Sequence, residues 1–200
     1  MRARFVATAV TLALMALHAP VGAIVRPDLL VGFGGSFAVT GAPSGGGLSS
    51  SLSALWPVGE RAGFGVRLFA DDSGTREGRL VDPNNGADLG SVGLSHRWVY
   101  GASWRGDLKL FERGRWDAGL LGDWGYWRIE DDVRGRFTGA SSAAGFVLGG
   151  KLARQIGTTN SAGLALRYHR MFTNRESAPN LVGRYATVAF EWCWLGADRR

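Results

Sequence analysis

The sequence predicts an all-β chain that closes as an antiparallel, up-and-down transmembrane β-barrel of eight strands. Three observations predict it. Runs of roughly 10 to 14 residues alternate between bulky apolar and small or polar side chains, whereas helical periodicity is almost absent. The chain carries 31 Gly and 8 Trp but only 6 Pro in 200 residues, as strands crowded around a narrow space require. An apolar leader at the N-terminus marks a chain that leaves the cytoplasm.

That leader comes first. "MRAR" is basic, "FVATAVTLALMAL" is continuously apolar, and "VGA" ends on small residues, so residues 1–23 read as a cleaved signal peptide and 24–200 as the barrel. The apolar run is short for a spanning helix. With Arg2 and Arg4 removed, the formal charge of +6 falls to about +4. The basic residues are scattered, so no nucleic-acid stripe forms. Cys193 is the single cysteine, which excludes an intramolecular disulfide.

The first run, "DLLVGFGGSFAVTG", sets Leu29, Val31, Phe33 and Phe37 against Gly32, Gly34, Ser36 and Ala38. In "GGLSSSLSALWPV", Leu48, Leu52 and Trp56 oppose three serines. "RAGFGVRLFADD" sets Phe64, Val66 and Leu68 against Gly65, Arg67 and Asp71; "DLGSVGLSHRWVYG" sets Trp98 and Tyr100 against Arg97 and Val99. "RWDAGLLGDWGYWRI" continues with Trp116, Leu120, Trp124 and Tyr126 opposite Asp117 and Asp123. "SAAGFVLGGKLARQ" and "SAGLALRYHRMF" place Phe146, Leu148, Leu164 and Leu166 against Lys151, Arg167, His169 and Met171. The last run, "YATVAFEWCW", puts Ala186, Val188, Phe190, Trp192 and Trp194 on one side and Glu191 on the other.

The connections alternate between tight ("PVGER", "IGTTN") and long. The long ones, Asp71–Asp88, Glu130–Ser142 and Asn174–Gly183, are expected to be extracellular loops. "GASWRGDLKLFERGR" leaves two readings open: one helical turn, or a fourth strand continued to a turn at "ERGR".

Volume decides which solvent the bulky face meets. An eight-stranded bore admits about one to two dozen side chains, and the bulky faces together exceed that. Turned outward they form a lipid-facing belt. Trp56, Trp116, Trp192, Trp194, Tyr100 and Trp104 are expected toward the inner interface, and Tyr126, Trp127 and Phe172 toward the outer one. The other face fills the bore, where Arg67, Arg97, Asp117, Asp123, Lys151, Arg167, His169 and Glu191 are expected to pair as an interior polar network. A soluble barrel or sandwich is the competing architecture.

With those features assembled, the chain resembles small outer-membrane β-barrels of the OmpA and OmpX kind. That resemblance implies a location in the outer membrane of a Gram-negative cell, with contact to lipid and lipopolysaccharide. It also implies recognition of the terminal strand (Ala186, Val188, Phe190, Trp192, Trp194) by the barrel-assembly machinery, although "LGADRR" extends past the terminal aromatic. The hairpin "YHRMFTNRESAPN" is similar to the region where lipid A deacylases carry a His-x-Ser-Asn run. Aligned on Asn174, Met171 and Thr173 stand where that family has its histidine and serine, and His169 lies one pleat repeat away. A nucleophile without a base in reach is not activated. The expectation is therefore a non-catalytic barrel with a structural or interaction role through its outer loops, no cofactor and an unassigned extracellular ligand; a lipid-modifying hydrolase and a narrow channel are the alternatives. His96 is expected at an interface or a local bulge, and Asp71, Asp72, Asp131 and Asp132 as solvated loop acids rather than a cation site.

Overall fold

The computed structural model describes residues 26–38, 46–81, 87–133, 136–172 and 184–196. They form β1 (Asp28–Ala38), β2 (Gly47–Val58), β3 (Ala62–Val81), β4 (Asp88–Arg113), β5 (Trp116–Val133), β6 (Arg136–Gln155), β7 (Asn160–Phe172) and β8 (Arg184–Trp194). Each strand pairs antiparallel with its neighbour in sequence. β8 returns to β1 from Leu29↔Trp194 to Ala38↔Tyr185, which closes the barrel. Closure pairs the backbone groups that an open edge would leave bare in hydrocarbon.

Alternation fixes which face points where. Phe33, Leu48, Leu148 and Leu164 are each more than half exposed, whereas Arg67, Arg105 and Arg167 are fully buried. This inverts the pattern of a soluble domain, and among the described side chains the predicted orientation holds in each strand except at Trp127. Small residues make the filled bore sterically feasible. A Cβ on Gly149 would lie 2.2 Å from the Leu166 carbonyl and 2.7 Å from Leu121 Cδ1.

The two ends differ. The turns after β2, β4 and β6 are short; Gly59 and Gly114 take φ of 73° and 61°, which a side chain disfavours. Gly114 and Arg115 form a two-residue hairpin, so "GASWRGDLKLFERGR" continues β4 to that turn and contains no helix. A bulge between Lys109 and Phe111 absorbs one residue.

At the opposite end two expected loops are corrected. Most of Asp71–Asp88 is strand: β3 and β4 stay paired from Asp72↔Trp98 to Val81↔Asp88 through three register shifts. Glu130–Ser142 is likewise strand on both sides, with β5 and β6 paired up to Val133↔Arg136. Polar residues there continue the ladder because most have a cross-strand partner, and polarity alone does not stop a strand. β2 leaves β3 at Ser49↔Asp71, and β7 leaves β6 at Ala144↔Phe172. A sheet built from β3, β4, β5 and β6 therefore continues past the rim. Residues 1–23, Thr173, Asn174 and the Asn174–Gly183 loop lie outside the described residues, as do the side chains of His96, Asp131 and Asp132.

Candidate functional site in the barrel bore

Inward positions on the strands stack into tiers. At the inner end, Leu30, Leu55 and Cys193 pack together with Leu195 against them. Around that apolar floor lies a cavity of about 250 Å³ whose walls include Asp28, Glu60, Asp107, Lys109, Asp117 and Lys151.

Above it sits an ionic tier centred on Arg105 of β4. Its guanidinium donates to both oxygens of Asp107 at 2.8 and 3.0 Å and to both of Glu191 at 2.9 and 3.2 Å. It also donates to Ser53 Oγ at 3.1 Å. Lys151 Nζ reaches Asp107 at 2.6 Å, and Arg167 donates to Glu191 from β7. Two carboxylates thus serve three cations, with bidentate geometry at the guanidinium that suits a desolvated site. Arg67 forms a separate pair with Asp123 at 3.1 Å while its guanidinium lies 4.7 Å over the Phe69 ring.

The next tier mixes polar and aromatic groups. Asp71 accepts hydrogen bonds from Ser49 at 2.6 Å and from the Tyr185 hydroxyl at 2.7 Å. The His169 ring stacks on Tyr185 at 4.1 Å, and its Nε2 lies 3.1 Å from Thr187 Oγ1. Phe69, Val99, Trp127, Ile129 and Met171 pack in one cluster with Tyr185 at this level of the bore. Outward of the inner cavity the bore is packed with side chains.

Of the residues expected in the network, Arg67, Asp123, Lys151, Arg167 and Glu191 meet in the ion pairs described. Arg97 is buried on the same face, nearer the outer rim. His169 joins the aromatic tier. Asp117 faces the inner mouth, half-buried and opposite Glu112, apart from the ion pairs. Sequence reasoning missed Arg105 and Asp107, which sit in the segment left open between helix and strand. Their signal was parity, since both continue the inward series of Arg97 and Val99. Asp71 is corrected from a solvated loop acid to a fully buried acceptor, because β3 carries it into the bore. Trp127 is corrected from the outer aromatic belt to the bore, where it is fully buried; it shares the odd parity of Asp117 and Asp123. On the lipid side, Trp104 stacks on Phe64 at 5.8 Å, and Phe172 packs against Trp124 and Phe146 at 5.9 and 5.7 Å. Ala186, Val188, Phe190, Trp192 and Trp194 all lie on the outward face of β8.

The arrangement is suited to sealing the bore. His169, the histidine nearest the deacylase-like run, is fully buried and faces Thr187 and Tyr185, away from lipid. Among the described residues no group of three His, Cys, Asp or Glu side chains could hold a metal ion.

The sequence matches no protein-family model and no curated protein. Solved structures are similar in fold. Neisserial surface protein A superposes with a TM-score of 0.56 at 12% identity, covering 85% of this chain and 94% of that one. A major outer membrane protein from Thermus thermophilus gives 0.53 at 11% identity, with 84% and 98% covered. Ail, the attachment invasion locus protein of Yersinia pestis, gives 0.50 at 10% identity, with 85% and 97% covered. The fold is that of a small eight-stranded outer-membrane β-barrel, and the outward apolar belt fits an outer-membrane location.

Proposed function

We propose that this chain is a non-catalytic, sealed outer-membrane barrel whose work is done by the sheet it raises above its outer rim. The observation that carries this reading is the continued pairing of β3 and β4 to Val81↔Asp88, well past the last β2 partner at Asp71. The roughly ten further residues of β3 span about 30 Å of contour. Pairing across four strands, up to Ser95↔Val133, gives the base of that projection the rigidity binding surfaces usually need, and β3 and β4 continue from it as a two-stranded ribbon. Its outer members β3 and β6 have one neighbour each among the described residues there, so a partner can add a strand alongside. The three register shifts twist the β3 edge, as edges that avoid indiscriminate pairing do. An attachment role is in keeping with the name of Ail. The belt has lipid and lipopolysaccharide as its neighbours, and the outward residues of β8 serve as the assembly signal.

The test is attachment of cells displaying the barrel to cultured epithelial monolayers. Residues 74–95 are replaced by a two-residue Asn-Gly hairpin, and folding is checked by heat-modifiable gel migration. Attachment should drop to the level of cells without the barrel while the folded band persists. Undiminished attachment by the trimmed barrel refutes the role assigned to the sheet. Lipid A hydrolysis by the purified barrel refutes the non-catalytic reading separately, and steady conductance in planar bilayers refutes the seal.

A further inference from the structure

We propose that the lipid-facing surface at the inner end of β5, β6, β7 and β8 holds one anionic glycerophospholipid of the inner leaflet, with its phosphate on Arg115 and Arg154. A groove of about 590 Å³ lies there, walled by these two arginines, Trp116, Leu152, Leu164 and Phe190. Ala162 and Gly163 also border it, and no carboxylate does.

Register explains how the groove arises. Trp116, Arg154, Ala162 and Trp192 are cross-strand partners in one row, and Ala118, Leu152, Leu164 and Phe190 form the next row toward the membrane centre. Ala162 therefore leaves a gap between two large neighbours, Arg154 and Trp192. The Arg154 guanidinium lies 5.5 Å over the Trp116 ring, which holds it at the interface instead of trailing into solvent. The backbone of Arg115 is fixed at the same end, because its turn carbonyl accepts the Gln155 N–H at 2.8 Å, and its side chain borders the same groove.

The chemistry that fits is amphipathic and negative. Two guanidiniums at headgroup depth offer forked donors to a phosphate, and the leucines and Phe190 below them take an acyl chain. The tight turn Gly114–Arg115 puts this pair at the inner interface, so the occupant comes from that leaflet and not from the lipopolysaccharide side. A zwitterionic lipid presents the same phosphate with a cation beside it, which the two arginines repel. The site thus selects for net charge.

The experiment is native mass spectrometry of the refolded full-length barrel in detergent, with phosphatidylglycerol and phosphatidylcholine of matched chains added at equal concentration. The expected result is a single bound lipid per barrel, with phosphatidylglycerol favoured at least fivefold. In Arg115→Gln/Arg154→Gln the preference should fall below twofold, while Arg170→Gln, an exposed arginine near the opposite end of β7, should leave it intact. Heat-modifiable migration confirms that each variant is folded, and if the double variant fails to fold the single substitution Arg154→Gln replaces it. Equal binding of the two lipids by the unaltered barrel overturns the proposal. So does a preference that survives the double substitution, or one that Arg170→Gln abolishes equally.

Discussion

Glu191→Gln measures how dry the bore is. Glu191 is 6% exposed; its two oxygens take Arg105 at 2.9 and 3.2 Å, and Oε1 also takes Arg167. Glutamine keeps the shape and one acceptor but removes the charge and turns an NH2 donor toward a guanidinium. Arg105 retains Asp107, whereas Arg167 retains no other hydrogen-bond partner among the described residues. Stripping one partner from a buried pair costs about 3–5 kcal/mol. Hydrogen bonds to charged groups at about 1.5–3 kcal/mol each give a consistent scale when one of the contacts survives. The expected loss is about 4 kcal/mol. The assay is equilibrium urea unfolding in lipid vesicles, followed by Trp fluorescence. With a slope of about 2 kcal/mol per molar, the midpoint falls by about 2 M. Glu112→Gln is the matched control: the Lys109–Glu112 pair is just as short, at 2.8 Å, but Glu112 is 61% exposed. In water such a pair contributes about 0–1 kcal/mol. A Glu191→Gln loss no larger than that of Glu112→Gln would mean a hydrated bore, and the sealed-barrel reasoning would fail.

Three other expectations follow from orientation and packing. Leu148→Arg, on the exposed belt, should cost about 2–4 kcal/mol in the same vesicle assay; no loss would mean that face does not touch acyl chains. Gly149→Val should abolish the folded gel band, because its Cβ would meet the Leu166 carbonyl at 2.2 Å, while Gly157→Ala, with nothing within 4 Å, should leave the band unchanged. Cys193, at 8% exposure and packed with Leu30 and Leu55, should resist a bulky maleimide until the barrel is unfolded, and rapid labelling in the folded state would show that the inner floor is open.

Most of the wall was legible because its signal is periodic and repeated. A two-residue period with aromatics on one side and glycine on the other has a single consistent solution once closure is required. The inner ends were legible for a local reason, since Gly59 and Gly114 sit where positive φ is needed. The outer ends were not. Beyond the membrane the alternation of apolar and polar residues lapses, and "SGTREGRLV" reads as loop although its partner strand holds it extended. Arg105 and Asp107 were obscured by the Lys109–Phe111 bulge, which breaks parity just below them. Trp127 was assigned by residue type when parity was the better guide. The identities of the pairs were beyond sequence altogether, because Arg105–Glu191 spans 86 positions and depends on the shear of the closed barrel.

The packed bore and the projecting sheet are mechanically one feature. A two-stranded ribbon is marginal by itself, so the β3–β4 projection needs a firm base. That base is pinned from within. Arg67 ties β3 to β5 across β4, and Arg105 ties β4 to Ser53 on β2 and to Glu191 on β8. Lys151 adds β6 through Asp107, and Arg167 adds β7 through Glu191. Most of these bonds cross the bore between strands that the backbone ladder does not join, so they resist the shearing that ladder bonds alone permit. An open channel would have to forgo such ties, and a lipid-modifying enzyme would need its polar groups on the rim or the outer face. Here the charges lie in the interior, and β3, β4, β5 and β6, which carry the sheet outward, are all among the strands they lock together.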